Sequence, residues 1–468
     1  MNINESLTSA MGLLARVAAV VIFISLSACS DSPTVESPPV DYSIGGTVSG
    51  LDGTVVLLNN GADDLTVSAN GAFIFATRIA SGAAYSVTIG TLPDGQTCEV
   101  TNGSGTATAD VTDVTVECEG FVLRPLPEVY TTGNAINYSP YRAQGPEEQP
   151  PEMPSDEDIL EDLTLIDSAG YNLLRLFGGD SVSESILRVA QENFPNMVFQ
   201  QGIFIQRVSS SNCENEVNDS QIETGIRLAN TYDSVVTVSV GNEPSFAGSS
   251  VACLEGYIKR TRSAVAQPVT ADDDYTFYAG LSNVGPPDTV LPLLDFVSIH
   301  MYPITFYQAW DWKQEAVEAG PLRADAMMNA AIGRAQDNYQ VVYDYEYLNS
   351  AGETVTVGES LPIVVGETGW KAVPTAVPGQ EIEIYAANPV NAKMYFDLLQ
   401  TWERSEGGPL TIFYFQPFDE VWKDRDDGWG LWDEDRMPRY ALCDTPAAGS
   451  PCNEDLYEGA GYYDPPPP

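Results

Sequence analysis

The stretch VVTVSVGNEP, residues 235–244, is an apolar run that ends in Gly-Asn-Glu-Pro. It predicts a buried β-strand with a glutamate, Glu243, at its carboxyl end. The stretch PIVVGETGW, residues 362–370, is also an apolar run followed by a glutamate, Glu367. Six further apolar runs between residues 134 and 420 also read as strands: NAINYSP (134–140), NLLRLFG (172–178), MVFQQGIFI (197–205), YTFYAGL (275–281), FVSIHMYP (296–303) and TIFYFQPFDE (411–420).

Segments with helical periodicity lie between many of these runs. They are DEDILEDLTLIDSAG (156–170), SESILRVAQENF (183–194), SQIETGIRLANTY (220–232) and RADAMMNAAIGRAQ (323–336). This alternation predicts an α/β protein, a (β/α)₈ TIM barrel, over residues 122–440. An insertion at residues 341–357 predicts a β-hairpin that turns at residues 350–352 and could block one end of a cleft. Residues 441–468 form a C-terminal tail.

Residues 42–119 have a different character. Short segments rich in Val, Thr and Ile alternate with Gly, Asn and Asp turns, which predicts a small antiparallel β-sandwich. The pattern resembles the immunoglobulin-like modules at the N-terminus of bacterial surface lipoproteins. We expect this module to act as a spacer, with carbohydrate binding as the alternative.

The first 29 residues read as a targeting segment, and the Ser/Pro-rich residues 30–41 as a linker. Arg16 precedes the apolar run 17–26, and Leu26-Ser27-Ala28-Cys29 resembles a bacterial lipobox. That resemblance implies that Cys29 is lipidated and tethers the protein to a membrane. Asp31 is not directly after Cys29, which favours the outer membrane of a Gram-negative cell envelope. A plain cleaved signal or an uncleaved anchor is the alternative.

Charge and cysteine content restrict the partners. The chain has 21 Lys plus Arg against 66 Asp plus Glu, a formal charge of -45, which argues against nucleic acid and anionic glycans and fits a neutral polysaccharide. A single histidine excludes a His-based metal site or a Ser-His-Asp triad, so we expect no metal and no cofactor. We also expect a monomer. The six cysteines after Cys29 predict local disulfides in sequence order: Cys98–Cys118, Cys213–Cys253 and Cys443–Cys452.

The two glutamate motifs resemble the paired signatures of glycoside hydrolase family 17, whose members are retaining (β/α)₈ glycosidases acting on β-1,3-glucan. The likeness extends, in order, to NYSPYR (137–142), LRLFGGD (174–180), HMYP (300–303), FDEVWK (418–423) and GWGLW (428–432). It implies that Glu243 is the acid/base, which must start protonated, and that Glu367 is the ionised nucleophile.

The same resemblance implies further site residues. Asn242 would bind the substrate's 2-hydroxyl, Tyr302 would donate a hydrogen bond to Glu367, and Arg175 would lie beneath Glu367 and keep it ionised. Arg175 is also expected among the substrate-binding residues, together with Tyr138, Glu420 and Lys423. The chain departs from plant members at Lys371, where they have proline, and at Asp426 and Asp427, where they carry a glutamate.

Most tryptophans fall in segments that follow the sixth to eighth predicted strands. Because aromatic faces stack on the C–H faces of sugars, this clustering predicts a glucan-binding cleft, with core packing as the alternative for each ring. The expected substrate contacts are Trp310, Trp312, Trp370 and Trp422. For His300 we expect a packed, hydrogen-bonded side chain rather than a substrate contact. Asp180 is expected to cap a helix rather than contact sugar.

Three functions are compatible with these residues. The favoured one is an endo-acting β-1,3-glucanase that degrades a laminarin-like glucan. The second is a β-1,3-glucanosyltransferase or an exo-acting relative, which would share the covalent intermediate. The third is a non-catalytic glycan-binding surface lipoprotein, which the presence of both glutamates and Asn242 disfavours.

Overall fold

The computed structural model describes residues 40–93, 96–120, 122–146, 151–208, 213–304, 321–350, 352–374, 386–446 and 452. Its first ten strands form an all-β module, with bounds β1 (Asp41–Tyr42), β2 (Ile44–Ser49), β3 (Val55–Asn59), β4 (Asp63–Val67), β5 (Gly71–Ile74), β6 (Ile79–Ala80), β7 (Ala84–Thr91), β8 (Gln96–Thr101), β9 (Ser104–Thr106) and β10 (Val111–Gly120).

Two four-stranded sheets, ordered β5-β2-β10-β8 and β4-β3-β7-β9, make up most of this module. Their inward-facing residues, among them Ile44, Leu57 and Val116, share one buried core. The prediction of a purely antiparallel module is wrong in one pair, because β10 runs parallel to β2. The immunoglobulin-like assignment stays a prediction.

Eight parallel strands close into a barrel after this module, which confirms the predicted fold class. In barrel order they are β11 (Ala135–Asn137), β12 (Leu173–Arg175), β13 (Val198–Ile203), β14 (Val235–Asn242), β15 (Val269–Asp274), β16 (Val297–His300), β19 (Ile363–Thr368) and β20 (Ile412–Tyr414).

The fifth barrel strand is not the one predicted. Residues 275–281 begin with a short helix, and the strand is β15, whose sequence is VTADDD. Aspartate is uncommon in strands, yet β15 contains three in a row and all six of its residues are buried. Each carboxylate is hydrogen-bonded, Asp272 by Arg175 for example, which offsets the desolvation that would otherwise forbid this strand.

Helices surround the barrel, with bounds α1 (Val129–Thr132), α2 (Asp156–Ser168), α3 (Ser181–Asn193), α4 (Glu216–Thr231), α5 (Val251–Ala264), α6 (Tyr275–Tyr278), α7 (Pro321–Tyr343), α8 (Val357–Ser360) and α9 (Pro389–Trp402). Asp180 is the N-cap of α3 and accepts a hydrogen bond from the Ser183 backbone N–H, as expected. Within the described part of the chain, every helix is too short or too polar to cross a membrane.

The predicted hairpin is present as β17 (Glu346–Leu348) and β18 (Thr354–Thr356), paired antiparallel. It lies in the connection from α7 to β19. Connections from helix to strand lie at the amino-terminal face of a barrel, opposite the loops that carry active residues. The expectation that this hairpin could block a cleft is therefore wrong.

The three predicted disulfides, Cys98–Cys118, Cys213–Cys253 and Cys443–Cys452, are present. The first joins β8 to β10, where the two cysteines are directly opposite each other. The second ties the segment before α4 to α5, and so fastens two adjacent barrel helices.

Candidate active site

Polar side chains converge where the barrel strands end. Asn137 and Arg175 end β11 and β12, Asn242 ends β14, and His300 ends β16 beside Glu367 of β19, its register partner. Because parallel strands present their carboxyl ends at one face of the barrel, residues far apart in the sequence meet there.

Glu243 follows β14 in an unusual backbone conformation. Its φ is +50, which is uncommon for a residue with a side chain. Gly241, two residues earlier, has φ +96, and a Cβ there would lie 2.6 Å from the Pro244 ring. The Glu243 backbone N–H donates to the Asp272 carbonyl at 2.9 Å. The turn is thus fixed by its neighbours and directs the carboxylate into the cavity, where its side chain is 28% exposed.

Glu367 is almost fully buried and accepts two short hydrogen bonds. Arg175 Nη1 donates to its Oε1 at 2.5 Å, and the Tyr302 hydroxyl donates to its Oε2 at 2.6 Å. Burial acts to raise the pKa of Glu367, but the charges of His300 and Arg175 and these hydrogen bonds lower it overall. The contact predicted for Tyr302 is therefore present, and the environment holds Glu367 ionised.

His300 lies between the two glutamates, a position that its strand-end location alone did not reveal. Its Nδ1 is 3.0 Å from Glu243 Oε1 and 3.6 Å from Glu367 Oε2, and the ring is fully buried. Burial acts to lower the pKa of His300, but the Glu367 charge and the Glu243 hydrogen bond raise it overall. The ring is packed and hydrogen-bonded, as expected, and it connects the two glutamates.

Arg175 lies beneath Glu367, as predicted, but its buried guanidinium cannot contact substrate. It donates to Asp272 Oδ2 at 2.5 Å, to Asn137 Oδ1 at 2.9 Å and to Asn242 Oδ1 at 2.6 Å, in addition to Glu367. The prediction of Arg175 as a substrate-binding residue is thus corrected to a positioning role. Because Arg175 occupies Asn242 Oδ1, the amide nitrogen of Asn242 is the group left to face a ligand.

A cavity of 910 Å³ opens above these residues. Its lining residues come from the loops after most barrel strands, and no described residue of the β17–β18 hairpin is among them. Its lining includes Tyr138, Tyr141, Phe177, Asp180, Asn242, Glu243, Phe246, Tyr302, Glu367, Glu420, Trp422, Lys423 and Trp429.

The predicted aromatic contacts divide into two groups. Trp422 lines the cavity, and its Nε1 has no hydrogen-bond partner among the described residues. The prediction that Trp370 contacts substrate is wrong, because its ring is fully buried, packs on Tyr395 and donates to the Ala386 carbonyl. It follows β19 but its ring turns outward to α9. Trp310 and Trp312 lie outside the described residues.

The remaining predicted contacts also line the cavity. Glu420 is buried, forms an ion pair with Lys423 at 2.5 Å, and keeps Oε1 without a hydrogen-bond partner in the described part of the chain. Tyr138 is 1% exposed and donates its hydroxyl to Asp162, so its side chain offers almost no surface to a substrate. Lys371 is buried against the Trp429 ring and does not line the cavity.

Sequence reasoning missed Asp272 and Phe246. Asp272 lies in the strand VTADDD, which was not among the predicted strands. Phe246, three residues after Glu243, is 61% exposed and lines both the main cavity and a second, adjoining cavity of 540 Å³. An exposed aromatic so close to a strand-end glutamate was the signal that could have identified it.

A closed (β/α)₈ barrel with two facing glutamates at the ends of its fourth and seventh strands has the arrangement of carboxyl groups that glycoside hydrolysis requires. Residues 135–431, more than half of the chain, match the BtgE/BtgC glycoside hydrolase domain, and the chain belongs to this family. No curated protein sequence matches the chain.

Several solved structures resemble this one. A glycoside hydrolase family 17 β-1,3-glucanosyltransferase from Rhizomucor miehei is 20% identical, with 68% of this chain and 98% of that chain covered and a TM-score of 0.48. An active-site mutant of the Rhizomucor miehei β-1,3-glucanosyltransferase with laminaritriose is 19% identical, with 66% and 95% covered and a TM-score of 0.47. A GH2 β-galacturonidase from Eisenbergiella tayi, bound to galacturonate, is 16% identical, with 84% and 65% covered and a TM-score of 0.45. Similarities at these levels do not define a substrate.

Proposed function

We propose that this glycoside hydrolase is a retaining, endo-acting β-1,3-glucanase. The observation that carries the proposal is the separation of its carboxylates: one oxygen of Glu243, one of Glu367 and a ring nitrogen of His300 all lie within 4.8 Å of one another. Retaining enzymes hold the two carboxyl groups about 5–5.5 Å apart, whereas inverting enzymes need about 6.5–9.5 Å to admit a water.

The environments of the two glutamates support different roles. Glu367 is buried, receives two hydrogen bonds and has a lowered pKa, as a nucleophile requires. Glu243 is more exposed and can reach both the leaving oxygen and the solvent. In the first step Glu367 bonds to the anomeric carbon while Glu243 protonates the departing oxygen. In the second step Glu243 deprotonates a water that displaces Glu367.

Three features support a neutral β-1,3-glucan as substrate. The strand-end motifs resemble those of β-1,3-glucan-active enzymes, and the formal charge of -45 disfavours a polyanion. The cavity is lined by the half-buried Trp422 ring, by the Lys423 ammonium as a donor and by the Glu420 carboxylate as an acceptor. Saccharides need this combination of apolar faces and paired donors and acceptors. Endo action is supported by the size of the cavity that holds both glutamates, 910 Å³.

We further propose that lipidation of Cys29 holds the enzyme in the cell envelope. Cys29 lies outside the described residues, so the lipobox motif is the support for this proposal. If it is correct, a Cys29→Ser variant will move from the membrane fraction to the soluble fraction.

The test of the enzymatic proposal is digestion of laminarin by the mature chain, with product sizes followed over time. Mixed oligosaccharides at early times are the result expected for endo cleavage, and a single small product would overturn it. Glu367→Gln should lose several orders of magnitude in turnover because the nucleophile is gone. The exposed Glu192→Gln is the matched control and should retain full turnover. An active Glu367→Gln enzyme would contradict the assigned nucleophile.

A further inference from the structure

The position of the Glu243 carboxyl depends on the backbone turn that carries it. Glu243 has φ +50, a backbone conformation that persists only where the surroundings enforce it. Within the described part of the chain, its side chain makes one hydrogen bond, with His300 Nδ1, whereas Glu367 accepts two short ones. Whatever holds the turn therefore also places the carboxyl.

Asp273 of β15 contacts this turn two residues after Glu243. Its Oδ2 accepts from the Ser245 backbone N–H at 2.9 Å, and its Oδ1 accepts from the Ser245 hydroxyl at 2.7 Å. The preceding residue of the same strand holds the chain at Glu243 itself, whose backbone N–H donates to the Asp272 carbonyl at 2.9 Å. Two consecutive residues of β15 thus fix the turn on both sides of the Glu243 side chain.

Asp273 is an unusual buried carboxylate. It is 0% exposed, and among the residues that the structure describes no cation pairs with it. Its donors are the two groups of Ser245 and the Asp274 backbone N–H at 2.9 Å. Burial raises the pKa of Asp273 to about 7 and the Glu243 charge acts in the same direction, while these hydrogen bonds act to lower it. Because aspartate is rarely fully buried without a cation, its presence here indicates a role beyond packing.

The strand β15 supports the two glutamates through different side chains. Because side chains alternate along a strand, Asp272 and Asp273 point to opposite faces of β15. Asp272 faces the barrel interior, where it accepts from Arg175 beneath Glu367. Asp273 faces the loop after β14 and contacts Ser245, and it lines neither cavity. The supports of the nucleophile and of the acid/base are therefore separable by mutation.

We propose that Asp273 is a positioning residue that holds Glu243 at the glycosidic oxygen through the turn at Ser245. The proposal rests on the proposed glucanase function and adds to it a residue that does not itself touch the substrate. Without the Asp273 carboxylate, the turn would lose acceptors for both Ser245 donors, and Glu243 would be less well placed to protonate the departing oxygen. Glu367 would keep its own hydrogen bonds from Arg175 and Tyr302.

The test separates protonation of the leaving group from attack by the nucleophile. Laminaripentaose needs a proton on its departing sugar oxygen, whereas 2,4-dinitrophenolate leaves as a stable anion without one. In a retaining enzyme kcat/KM reports only the steps up to the glycosyl-enzyme, so its value for 2,4-dinitrophenyl β-laminaribioside does not depend on the acid.

In Asp273→Asn the side-chain amide nitrogen must face a backbone N–H, because all three donors now point at carboxylate oxygens. The ratio of kcat/KM for laminaripentaose to that for the aryl glycoside should fall roughly tenfold or more, within the contribution of about 10²–10⁴-fold that a general acid makes. Ser245→Ala removes the hydroxyl donor and keeps the backbone one. It should lower the same ratio roughly two- to tenfold.

Asp295→Asn is the matched control. Asp295 is also a buried aspartate that accepts backbone N–H groups, from Arg124 at 2.7 Å and from Val269 at 2.8 Å. It precedes β16, at the opposite end of the barrel from the glutamates, so Asp295→Asn should keep the wild-type ratio.

An unchanged ratio in both turn variants would overturn the proposal. Equal falls in kcat/KM for the two substrates would also overturn it, because a purely structural role affects both substrates alike. If Asp273→Asn does not fold, the ratio in Ser245→Ala decides alone. A wild-type enzyme that cleaves neither substrate would instead contradict the proposed function.

Discussion

Glu243 and Glu367 are the same residue type in environments that differ in burial and in hydrogen bonding. Glu367 is enclosed by Arg175 and Tyr302, while Glu243 contacts His300 and remains partly open to the cavity. His300 therefore connects two groups that change charge in opposite directions during a double displacement. The pKa of Glu367 therefore depends on the side chains that contact Glu367, which are His300, Arg175 and Tyr302.

Removal of the Tyr302 hydroxyl tests this at a single residue. Its hydrogen bond lowers the pKa of Glu367, so Tyr302→Phe should raise that pKa and shift the acid limb of the kcat/KM profile to higher pH. Loss of a hydrogen bond to a charged group, about 1.5–3 kcal/mol, should also lower kcat/KM at the optimum roughly ten- to a hundredfold.

The matched control for this variant is Tyr339→Phe, which removes a tyrosine hydroxyl bonded to the Gly408 carbonyl, away from both cavities. Its pH profile should match the wild type. If the acid limb of Tyr302→Phe does not move, Tyr302 does not assist the ionisation of Glu367.

At the scale of elements, β15 joins the site to the barrel interior. A hydrogen-bonded column runs from the Tyr130 hydroxyl of α1 to Gln200, from Gln200 to Asp272, and from Asp272 to Arg175 beneath the nucleophile. Each member is buried. Buried polar groups of this kind are costly unless every one is bonded, so the column fixes the guanidinium in one place.

Asp272→Asn should destabilise the barrel because it removes a charge partner from the fully buried Arg175. Breaking a buried ion pair costs about 3–5 kcal/mol in the free energy of unfolding. Asp156→Asn, which breaks an exposed ion pair with Arg188, should leave the free energy of unfolding nearly unchanged. Denaturant unfolding of the two variants measures the difference, and equal losses would contradict the structural role of Asp272.

The disulfide between Cys213 and Cys253 offers a second prediction at this scale. It closes a segment with a sequence separation of 40, against 9 for Cys443–Cys452. The loop-entropy argument gives about 4 kcal/mol for the longer loop and about 2.5 kcal/mol for the shorter one. Cys213→Ala/Cys253→Ala should therefore lower the denaturation midpoint more than Cys443→Ala/Cys452→Ala does. A larger fall in the midpoint from the second variant would contradict this order.

The whole molecule is dominated by its negative charge. With a formal charge of -45, self-repulsion acts against the compact state. Raising NaCl from about 0.01 M to 1 M shortens the screening length from roughly 30 Å to 3 Å, so the thermal midpoint at pH 7 should rise. Near the sequence pI of 4.1 the same salt series should have little effect, which provides the control. A midpoint at pH 7 that is insensitive to salt would contradict self-repulsion.

Local sequence features predicted much of this architecture. Seven of the eight barrel strands, the positions of both glutamates and the cysteine pairs follow from apolar runs, their breaks and sequence order. These features depend on neighbours along the chain. The prediction of the fifth strand failed because the aspartates of VTADDD are stabilised by Arg175, Gln200 and Ser245, which are distant in sequence.

Only the tertiary structure determined what the strand-end residues do together. The sequence alone specified glutamates at two strand ends, but barrel closure brought His300 between them and placed Arg175 against Asp272. It also turned Trp370 into the core and left Phe246 exposed between two cavities. The physical reason is that a side chain's direction and burial depend on strand register and on partners from other strands, and local sequence periodicity does not contain that information.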